Sequence, residues 1–328
     1  MPSCLVIGAG MAGLTAARLL LGDGWRVVVL DKGRGVGGRL ATRRIGEARF
    51  DHGAQFITVR DALFQQHVDR WLANGWIAPW FEDGGHIRYR SEGGMSQLAK
   101  HLAVGLDIRT GVKVESIGYS SGGWRASTDT GETFQADALV MTAPPEQALA
   151  MLAGCTGQLD PAVLEHLQAV EFDPCFALMV VAKGPGLVPA PGYFRPAAGP
   201  IEWLADNVRK GISGSGGSAL TIHARGDYSR QRFEVAPEEV ARELLEAARP
   251  WIGGTVDAWQ LHRWKFAKPV SGPCLDSLYS EVPAPVAFAG DGLAGGRVEG
   301  AFLSGVAAAA KLSESPVAIG REPSTTVE

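Results

Sequence analysis

A glycine-rich turn near the amino terminus constrains the fold of this chain more than any other feature. The apolar run Cys4-Leu5-Val6-Ile7 leads directly into Gly8-Ala9-Gly10-Met11-Ala12-Gly13. In this G-x-G-x-x-G pattern the first glycine makes a tight turn, the second lets a pyrophosphate approach the backbone, and the third lets the following helix pack on the strand. The helix amino terminus offers phosphate its free N–H groups and its positive dipole end. The pattern predicts a strand, a turn and a helix that cradle a dinucleotide.

The residues that follow supply the other parts of this motif. Residues 26–30 predict a second strand, and Asp31 ends it eighteen residues after Gly13. A carboxylate in this position accepts hydrogen bonds from the ribose of the adenosine half. The alternative is a glycine-rich turn that holds no ligand. The spacing of strand, turn, helix, strand and acid favours the nucleotide.

A second glycine-dense segment, residues 32–44, comes directly after Asp31. It carries four arginines, Arg34, Arg39, Arg43 and Arg44. Guanidinium groups bind phosphate through paired hydrogen bonds, so the segment predicts a second approach to the same pyrophosphate. A surface loop with solvated charges is the alternative.

Composition limits the remaining classes of function. A chain of 328 residues predicts about two domains. The net charge of -4 gives no general attraction to nucleic acid or to an anionic membrane. The four cysteines, Cys4, Cys155, Cys175 and Cys274, form no metal or disulfide pattern. No apolar run reaches membrane-spanning length. Together with the cysteine pattern, this predicts a cytoplasmic protein. We predict no metal site and leave the oligomeric state open.

Periodicity places the secondary structure along the chain. Helices are predicted at 62–72, 96–102, 237–248 and 298–312. Strands are predicted at 50–58, 108–117, 123–128, 138–141, 176–182, 219–224, 257–263 and 286–289. Residues 79–89 are predicted as a loop, 210–218 as a flexible loop and 313–328 as a solvated tail. A change of composition near residue 150 predicts a separate sheet-based domain.

Motifs at both ends of the chain resemble the flavin-containing amine oxidase superfamily. The amino-terminal motifs are the glycine turn with Asp31, then Gly37-Gly38-Arg39, then residues 51–55; the carboxyl-terminal motifs are Ala289-Gly290-Asp291 and Val298-Glu299-Gly300-Ala301. Three further stretches resemble the bacterial renalases within that superfamily: Trp203-Leu204-Ala205 with Asn207, His223-Ala224 with Ser229-Arg230-Gln231, and His262-Arg263-Trp264.

The resemblance implies an α/β protein of two domains. Residues 1–60, 105–150 and 280–313 are expected to form a Rossmann-like, doubly wound FAD-binding domain. Residues 61–104 and 151–279 are expected to form a mixed-sheet α+β substrate domain, and 314–328 a flexible tail.

The resemblance also implies FAD and the residues that hold it. These are Gly8, Gly10, Met11, Ala12, Gly13, Asp31, Lys32, Gly38, Arg39, His52, Gly53, Ala54, Gln55, Val114, Gly290, Asp291, Val298, Gly300 and Ala301. Residues 271–274 loosely resemble a stretch whose cysteine bonds to flavin in monoamine oxidases. Pro273 departs from that pattern, so we expect the FAD to be noncovalent.

The substrate is predicted from what precedes Glu299. Amine oxidases of the superfamily usually place an aromatic ring there, whereas this chain has Arg297, which favours an anion over a protonated amine. Similarity to renalases implies hydride transfer from the 2- and 6-dihydro isomers of NAD(P) to flavin N5, and then to O2 to give H2O2. A single dinucleotide turn also favours an oxidase, since the chain shows no separate site for a nicotinamide electron donor.

Several polar and aromatic side chains are candidates for the substrate face. They are His52, Gln55, Trp203, Asn207, His223, Trp264 and Arg297, with Lys268 as a candidate beside flavin N5. Each also has a structural alternative, as a core ring, a satisfied hydrogen bonder or a solvated strand-end lysine. A flavin-dependent amine oxidase and a nonenzymatic FAD-binding protein remain alternative functions. The predicted partners are a dihydronicotinamide dinucleotide and O2, without nucleic acid or membrane.

Overall fold

The computed structural model describes residues 1–120, 122–214, 216–272 and 274–319. The chain divides into two compact units. The first unit consists of Met1–Gly38, Leu102–Glu171 and the described residues from Ser271 onward, and the second consists of Arg39–His101 and Phe172–Val270.

The strands of the described residues are numbered in chain order. They are β1 (Ser3–Ile7), β2 (Arg26–Asp31), β3 (Thr42–Ile45), β4 (Ala48–Asp51), β5 (Ile57–Thr58), β6 (Ile77–Asp83), β7 (His86–Ser91), β8 (Asp107–Thr110), β9 (Val114–Ser120), β10 (Gly123–Thr128), β11 (Thr133–Ala136), β12 (Ala138–Met141), β13 (Glu171–Ala182), β14 (Tyr193–Phe194), β15 (Ile201–Asp206), β16 (Ser218–Ala224), β17 (Val256–Ser271), β18 (Leu278–Ser280) and β19 (Val286–Phe288).

The α-helices are numbered in the same way. They are α1 (Met11–Gly22), α2 (Ala62–Ala73), α3 (Met95–Ala103), α4 (Pro145–Met151), α5 (Pro161–Gln168), α6 (Gly226–Gln231), α7 (Pro237–Ala248), α8 (Val298–Ser313) and α9 (Pro316–Ile319). Within the described ranges, no helix combines the length and the apolar character needed to cross a bilayer.

A six-stranded sheet organises the first unit. Its order is β18-β19-β12-β1-β2-β8, and all neighbours are parallel except β18 and β19. Every residue of β1 is buried, as expected for a parallel strand covered on both faces. The chain runs from β1 outward to β2 on one side and β12 lies on the other, so the strand order reverses at β1. The glycine turn follows β1 at this reversal, which is where open α/β sheets bind ligands.

The first unit contains more of the chain than the sequence predicts. Residues 151–171 and 271–279, expected in the substrate domain, belong to it. Leu152 and Leu167 are buried in one cluster with Leu5 of the central strand, and this packing accounts for the earlier segment. The three-stranded antiparallel sheet β11-β10-β9 adds Trp124 to the same cluster. Burial decides these boundaries, and it leaves no local mark in the sequence.

The second unit is built on the sheet β14-β15-β16-β13-β17. Val240 and Leu244 of α7 are buried in the core cluster of this sheet. Residues 39–60, expected in the FAD-binding domain, group here, because Phe50 packs against Met179 of β13 and Ala219 of β16.

The predicted loop at 79–89 is wrong, because β6 and β7 form an antiparallel hairpin there. Gly84 and Gly85 both have positive φ, as a two-residue hairpin turn of type I′ requires. The register shifts between Pro79 and Phe81. A proline at a bulge breaks the alternation that identifies a strand, which explains the error.

The carboxyl terminus departs from the predicted tail in its first part. Ser315 is buried and its hydroxyl donates to the Leu312 carbonyl at 2.6 Å. Helix α9 follows at Pro316–Ile319. The remainder of the predicted tail, 320–328, lies outside the described residues.

Helix α8 packs against α1 through a residue without a side chain. A Cβ on Gly305 would collide with the carbonyl of Ala12 and lie 3.0 Å from the Cβ of Thr15. The two helices therefore approach more closely than a larger residue allows.

We expect Gly305→Val to lower the free energy of unfolding by about 1–3 kcal/mol through overpacking. Ala310→Val, on the exposed side of the same helix, is the matched control and measures the helix-propensity cost alone. Urea denaturation followed by circular dichroism compares the two. Equal losses would contradict close packing at Gly305.

Candidate functional site

Of the three glycines in the turn of the first unit, two have no room for a side chain and one has free space beside it. A side chain on Gly8, whose φ is +107°, would collide with Thr142, and a side chain on Gly13 would collide with the Gly8 carbonyl. A Cβ on Gly10 would meet no heavy atom within 4 Å. Gly10 is also the N-cap of α1 and contributes no side-chain acceptor. The space beside Gly10, at the amino terminus of α1, is therefore open to an anion, as a pyrophosphate cradle requires.

Asp31 links the turn to the next loop. One carboxylate oxygen accepts from the Ala9 N–H and the other from the Gly33 N–H, each at 2.6 Å. Each oxygen has a further lone pair, so the group can still accept from ribose hydroxyls. Residues 33–38 lie beside the turn, since the Gly37 N–H donates to Ala9 at 2.8 Å and Gly37 forms a parallel bridge with Gly10.

Three of the four arginines predicted to bind phosphate are not in the same unit as residues 33–38. Arg39, Arg43 and Arg44 belong to the second unit, and the last two are in β3 rather than in a loop. Arg39 donates to the Ala267 carbonyl at 3.3 Å and its guanidinium lies 5.6 Å from the Phe172 ring centroid. Of the predicted arginine loop, residues 33–38 are described with the turn in the first unit, and the rest is described with the second unit.

Four other predicted cofactor positions of the first unit lie near strand ends: Lys32, Val114, Gly290 and Asp291. Lys32 is exposed and donates to Gln147 at 3.1 Å. Val114 is buried at the start of β9. The Gly290 N–H donates to the Ser304 hydroxyl at 2.9 Å, and the space on its Cβ side is open. Asp291 is buried beside it.

Helix α8 begins where the sequence predicts. Val298 is its first residue and Arg297 its N-cap, and a side chain on Gly300 would collide with the Ala294 carbonyl. Arg297 is exposed, and its Nε lies 3.7 Å from the buried carboxylate of Glu299. The negative charge of Glu299 offsets part of the positive charge of Arg297. That positive charge was the reason to predict an anionic substrate.

The second unit holds a buried ion pair that sequence reasoning missed. The Lys210 ammonium donates to Asp51 Oδ2 at 2.6 Å, and both side chains are fully buried. The ammonium also lies 4.8 Å from the Trp80 ring centroid. Burial lowers the pKa of Lys210, and the Asp51 charge opposes that shift. The sequence predicted a flexible loop at residues 210–218. That prediction is wrong for Lys210, which is fully buried against Asp51. Position 215 lies outside the described residues.

The backbone N–H and the backbone carbonyl of Asp51 both form hydrogen bonds with side chains. Its N–H donates to Asn207 Oδ1 at 3.4 Å, and its carbonyl accepts from Gln55 Nε2 at 2.6 Å and Thr221 Oγ1 at 3.0 Å. Gly53 packs so closely on Arg39 that a side chain would collide with the Arg39 carbonyl. That carbonyl accepts from the Ala54 N–H at 2.8 Å.

His52 is the centre of a cluster of rings. Its carbonyl accepts from His223 Nε2 at 3.1 Å and from Trp264 Nε1 at 2.8 Å. Its own ring stacks on Trp264, with centroids 5.4 Å apart, and meets His262 edge-on at 5.0 Å. A carbonyl only accepts, so His223 carries its proton on Nε2 and leaves Nδ1 as the basic nitrogen.

Burial keeps these histidines neutral. It lowers the pKa of His52 to about 3, with further lowering by His262 and Arg43. It also lowers the pKa of His223 and of His262 to about 4. The cluster is therefore uncharged at pH 7.

Trp203 belongs to an aromatic group in the same unit. Its ring stacks on Tyr193 at 4.8 Å and lies 5.6 Å from Phe56, while the Arg195 guanidinium lies 5.0 Å from its centroid. Phe81 stacks on Tyr193 at 4.1 Å. Isolated aromatic residues in the sequence give no sign of such a group.

Three of the predicted site residues keep a buried polar atom without a hydrogen-bond partner among the described residues. These atoms are His52 Nδ1, Gln55 Oε1 and Trp203 Nε1. An unpaired buried polar atom costs about 1–3 kcal/mol, so each is a position where a ligand would gain a hydrogen bond. Trp203 Nε1 can only donate, Gln55 Oε1 can only accept, and His52 Nδ1 can do either according to its tautomer.

Asn207 and Lys268 differ from their predicted catalytic roles. Asn207 is fully buried, and its amide donates to Ala219 and Thr221 at 2.9 Å. It has no surface for a ligand and acts by holding Asp51. The Lys268 side chain is 66% exposed and lies 3.7 Å from the Glu202 carboxylate, as a solvated lysine does. Among the residues that the structure describes, no His, Cys, Asp or Glu group is placed to hold a metal ion.

Comparisons with known proteins define the class. The family described as flavin containing amine oxidoreductase matches residues 61–313, and that described as NAD(P)-binding Rossmann-like domain matches residues 6–71. The protein is an FAD-dependent oxidoreductase. It belongs to the flavin-containing amine oxidoreductase family.

Individual relatives agree with that assignment. The chain is 24% identical to renalase from Mus musculus over 295 residues, which cover 83% of this chain and 86% of renalase. Its fold is similar to that of putrescine oxidase bound to putrescine, with a TM-score of 0.69, 15% identity, and coverage of 95% of this chain and 98% of the other. It is also similar to a putative protoporphyrinogen oxidase from Exiguobacterium sp. 255-15, with a TM-score of 0.70, 13% identity, and coverage of 96% and 98%. The predicted superfamily, the renalase-like features and the Rossmann-like fold are confirmed.

The histidine cluster generates a prediction on pH. Unfolded histidines titrate near pH 6.5, whereas those of the cluster titrate at about 3 to 4. Between these values the unfolded chain binds more protons, so the free energy of unfolding falls as the pH falls. We expect the urea midpoint to drop between pH 7 and pH 5, and to drop less in His223→Gln, which takes up no proton. His86→Gln is the control and should follow the wild type; an equal drop in all three proteins would contradict the prediction.

Proposed function

We propose that this protein is an oxidase with noncovalent FAD that takes hydride from the 2- and 6-dihydro isomers of NAD(P) and passes the electrons to O2, forming H2O2. The observation that carries the proposal is the neutral histidine and tryptophan cluster around the His52 carbonyl, with its unpaired buried polar atoms. Similarity to mouse renalase over most of both chains supports a renalase-like flavin enzyme, the class whose resemblance implies this reaction.

The first unit fits the cofactor. Gly10 leaves room at the amino terminus of α1, Asp31 has unused lone pairs, and Gly290 is open at a second strand end. When bound, FAD would supply the hydride-accepting chemistry, and the chain would supply binding, orientation and electrostatics. The amino terminus of α8 offers a positive dipole end to negative charge, the role predicted for Val298, Gly300 and Ala301.

The second unit offers neutral, aromatic surroundings, which suit a substrate that gains a positive charge in the proposed reaction. A dihydropyridine that loses hydride becomes a pyridinium cation and releases no further proton, so the reaction needs no general base. Neutral histidines do not repel that cation. Tyr193 and the Arg195 guanidinium already cover the Trp203 ring, so Trp264 is the ring that we propose to attract it. Trp203 Nε1 and Gln55 Oε1 are available to a carboxamide, which both donates and accepts hydrogen bonds.

An amine oxidase is the second candidate. Glu299 beside Arg297 reduces the repulsion of a protonated amine, and aromatic faces suit an iminium product as well as a pyridinium. The similarity of fold to putrescine oxidase does not choose between the two, because it rests on 15% identity. The cytoplasmic location stays a prediction from the cysteine pattern.

Anaerobic mixing separates these functions. We expect isomers of NADH prepared with borohydride to bleach the flavin absorption band, and putrescine and simple primary amines to leave it unchanged. Loss of ring positioning in His223→Gln should slow the bleaching roughly tenfold or more. Lys268→Met, on the exposed strand end, is the control and should remain close to wild type. Bleaching by amines and not by the isomers would refute the proposal.

The mode of FAD attachment is tested separately. Cys274 is an exposed free cysteine, and Pro273 before it lies outside the described residues. We expect acid denaturation to release all of the yellow colour, leaving a polypeptide of 34.7 kDa with no added flavin mass. Cys274→Ser should bind as much FAD as the wild type. An intact mass increased by one flavin, and lost in Cys274→Ser, would show a covalent bond.

A further inference from the structure

The Asp51–Lys210 pair is not used by the proposed reaction, and its burial needs an explanation. Both side chains have 0% exposure and the oxygen-to-nitrogen distance is 2.6 Å. A buried ion pair is often no more stabilising than apolar residues of similar size, because both ions lose their hydration. Such pairs are retained in some proteins because they specify one arrangement.

The pair fixes the orientation of the Asp51 carboxylate. Lys210 holds Oδ2, while Oδ1 accepts from Thr42 Oγ1 at 2.6 Å and from the Met95 N–H at 2.8 Å. Because three donors from separate segments bind the two oxygens, the plane of the carboxylate is held in one orientation. The Asp51 peptide is held by Asn207 and Thr221 in addition.

The next carbonyl along the chain sets two rings of the candidate site. His52 is the residue after Asp51, and its carbonyl accepts from His223 Nε2 and Trp264 Nε1. This acceptor is what selects the Nε2-protonated form of His223. A small displacement of the segment would lengthen both hydrogen bonds, which are 3.1 and 2.8 Å.

We propose that Lys210 is a positioning residue, which acts through Asp51 to hold the His52 carbonyl where it selects the tautomer of His223 and orients Trp264. The functional meaning of this inference rests on the proposed substrate-facing role of the two rings. Its test uses no substrate, so failure of the dihydronicotinamide proposal and failure of this one give different results.

The tautomer of His223 is the readout. Long-range 1H–15N spectra of the purified protein labelled with 15N-histidine separate Nε2–H from Nδ1–H rings, and His223→Gln identifies the signal. We expect a single Nε2–H form in the wild type. In Lys210→Met the tautomer ratio should change by roughly fivefold or more, the factor that corresponds to one net hydrogen bond. The Trp264 indole N–H signal, identified with Trp264→Phe, should shift in the same variant.

A matched control separates positioning from general loosening. Leu244→Ala removes a fully buried side chain of the same unit and lowers its thermal midpoint without touching the Asp51 network. Its His223 signal should stay that of the wild type. An unchanged tautomer in Lys210→Met, or an equal change in Leu244→Ala, would overturn the proposal.

A second variant covers the case in which Lys210→Met does not fold. Asp51→Asn combined with Lys210→Met removes both buried charges and keeps an oxygen for Thr42 and Met95. The amide nitrogen of the new asparagine stands in place of the oxygen that Lys210 held. It can only donate, and the methionine that replaces Lys210 offers it no strong acceptor, so that side of the group is no longer held and we expect the mixed His223 tautomers to persist in the double variant. A wild-type tautomer in the folded double variant would overturn the proposal.

Discussion

The contact between Gly13 and the Gly8 carbonyl is the constraint on which the first unit depends. Because no side chain separates them, α1 starts directly on the end of β1, the central strand of the six-stranded sheet. This geometry points the first N–H groups of the helix at the place where the strand order reverses. The candidate site for a diphosphate depends on the packing of this one turn.

The second unit depends on a different interaction, the enclosure of the Asp51 carboxylate. Three donors satisfy it, and the peptide that follows presents the His52 carbonyl to His223 and Trp264. Burial then keeps the histidines uncharged. The electrostatic character of the candidate substrate face, neutral and aromatic, is thus a consequence of how the neighbouring segment is held.

Features with a local period or spacing were predictable. The strand, turn, helix and acid of the first motif lie where expected, and the predicted 237–248 helix is α7. The hairpin of β6 and β7 was missed because Pro79 interrupts its alternation, although Gly84-Gly85 marks its turn. Asn207 was predicted to face the substrate, whereas its amide donates to Ala219 and Thr221, because residue type and spacing do not show whether an amide faces a ligand or the protein.

The sequence by itself determined the superfamily, the dinucleotide turn and most of the regular elements, because these depend on residues close together in the chain. The tertiary structure alone decided which segments share a unit, that Lys210 is buried against Asp51, and that His223 and Trp264 meet at one carbonyl. These contacts join residues more than 150 positions apart, from Asp51 and His52 to Lys210, His223 and Trp264. Burial, charge pairing and tautomer are properties of such contacts, so no local pattern encodes them.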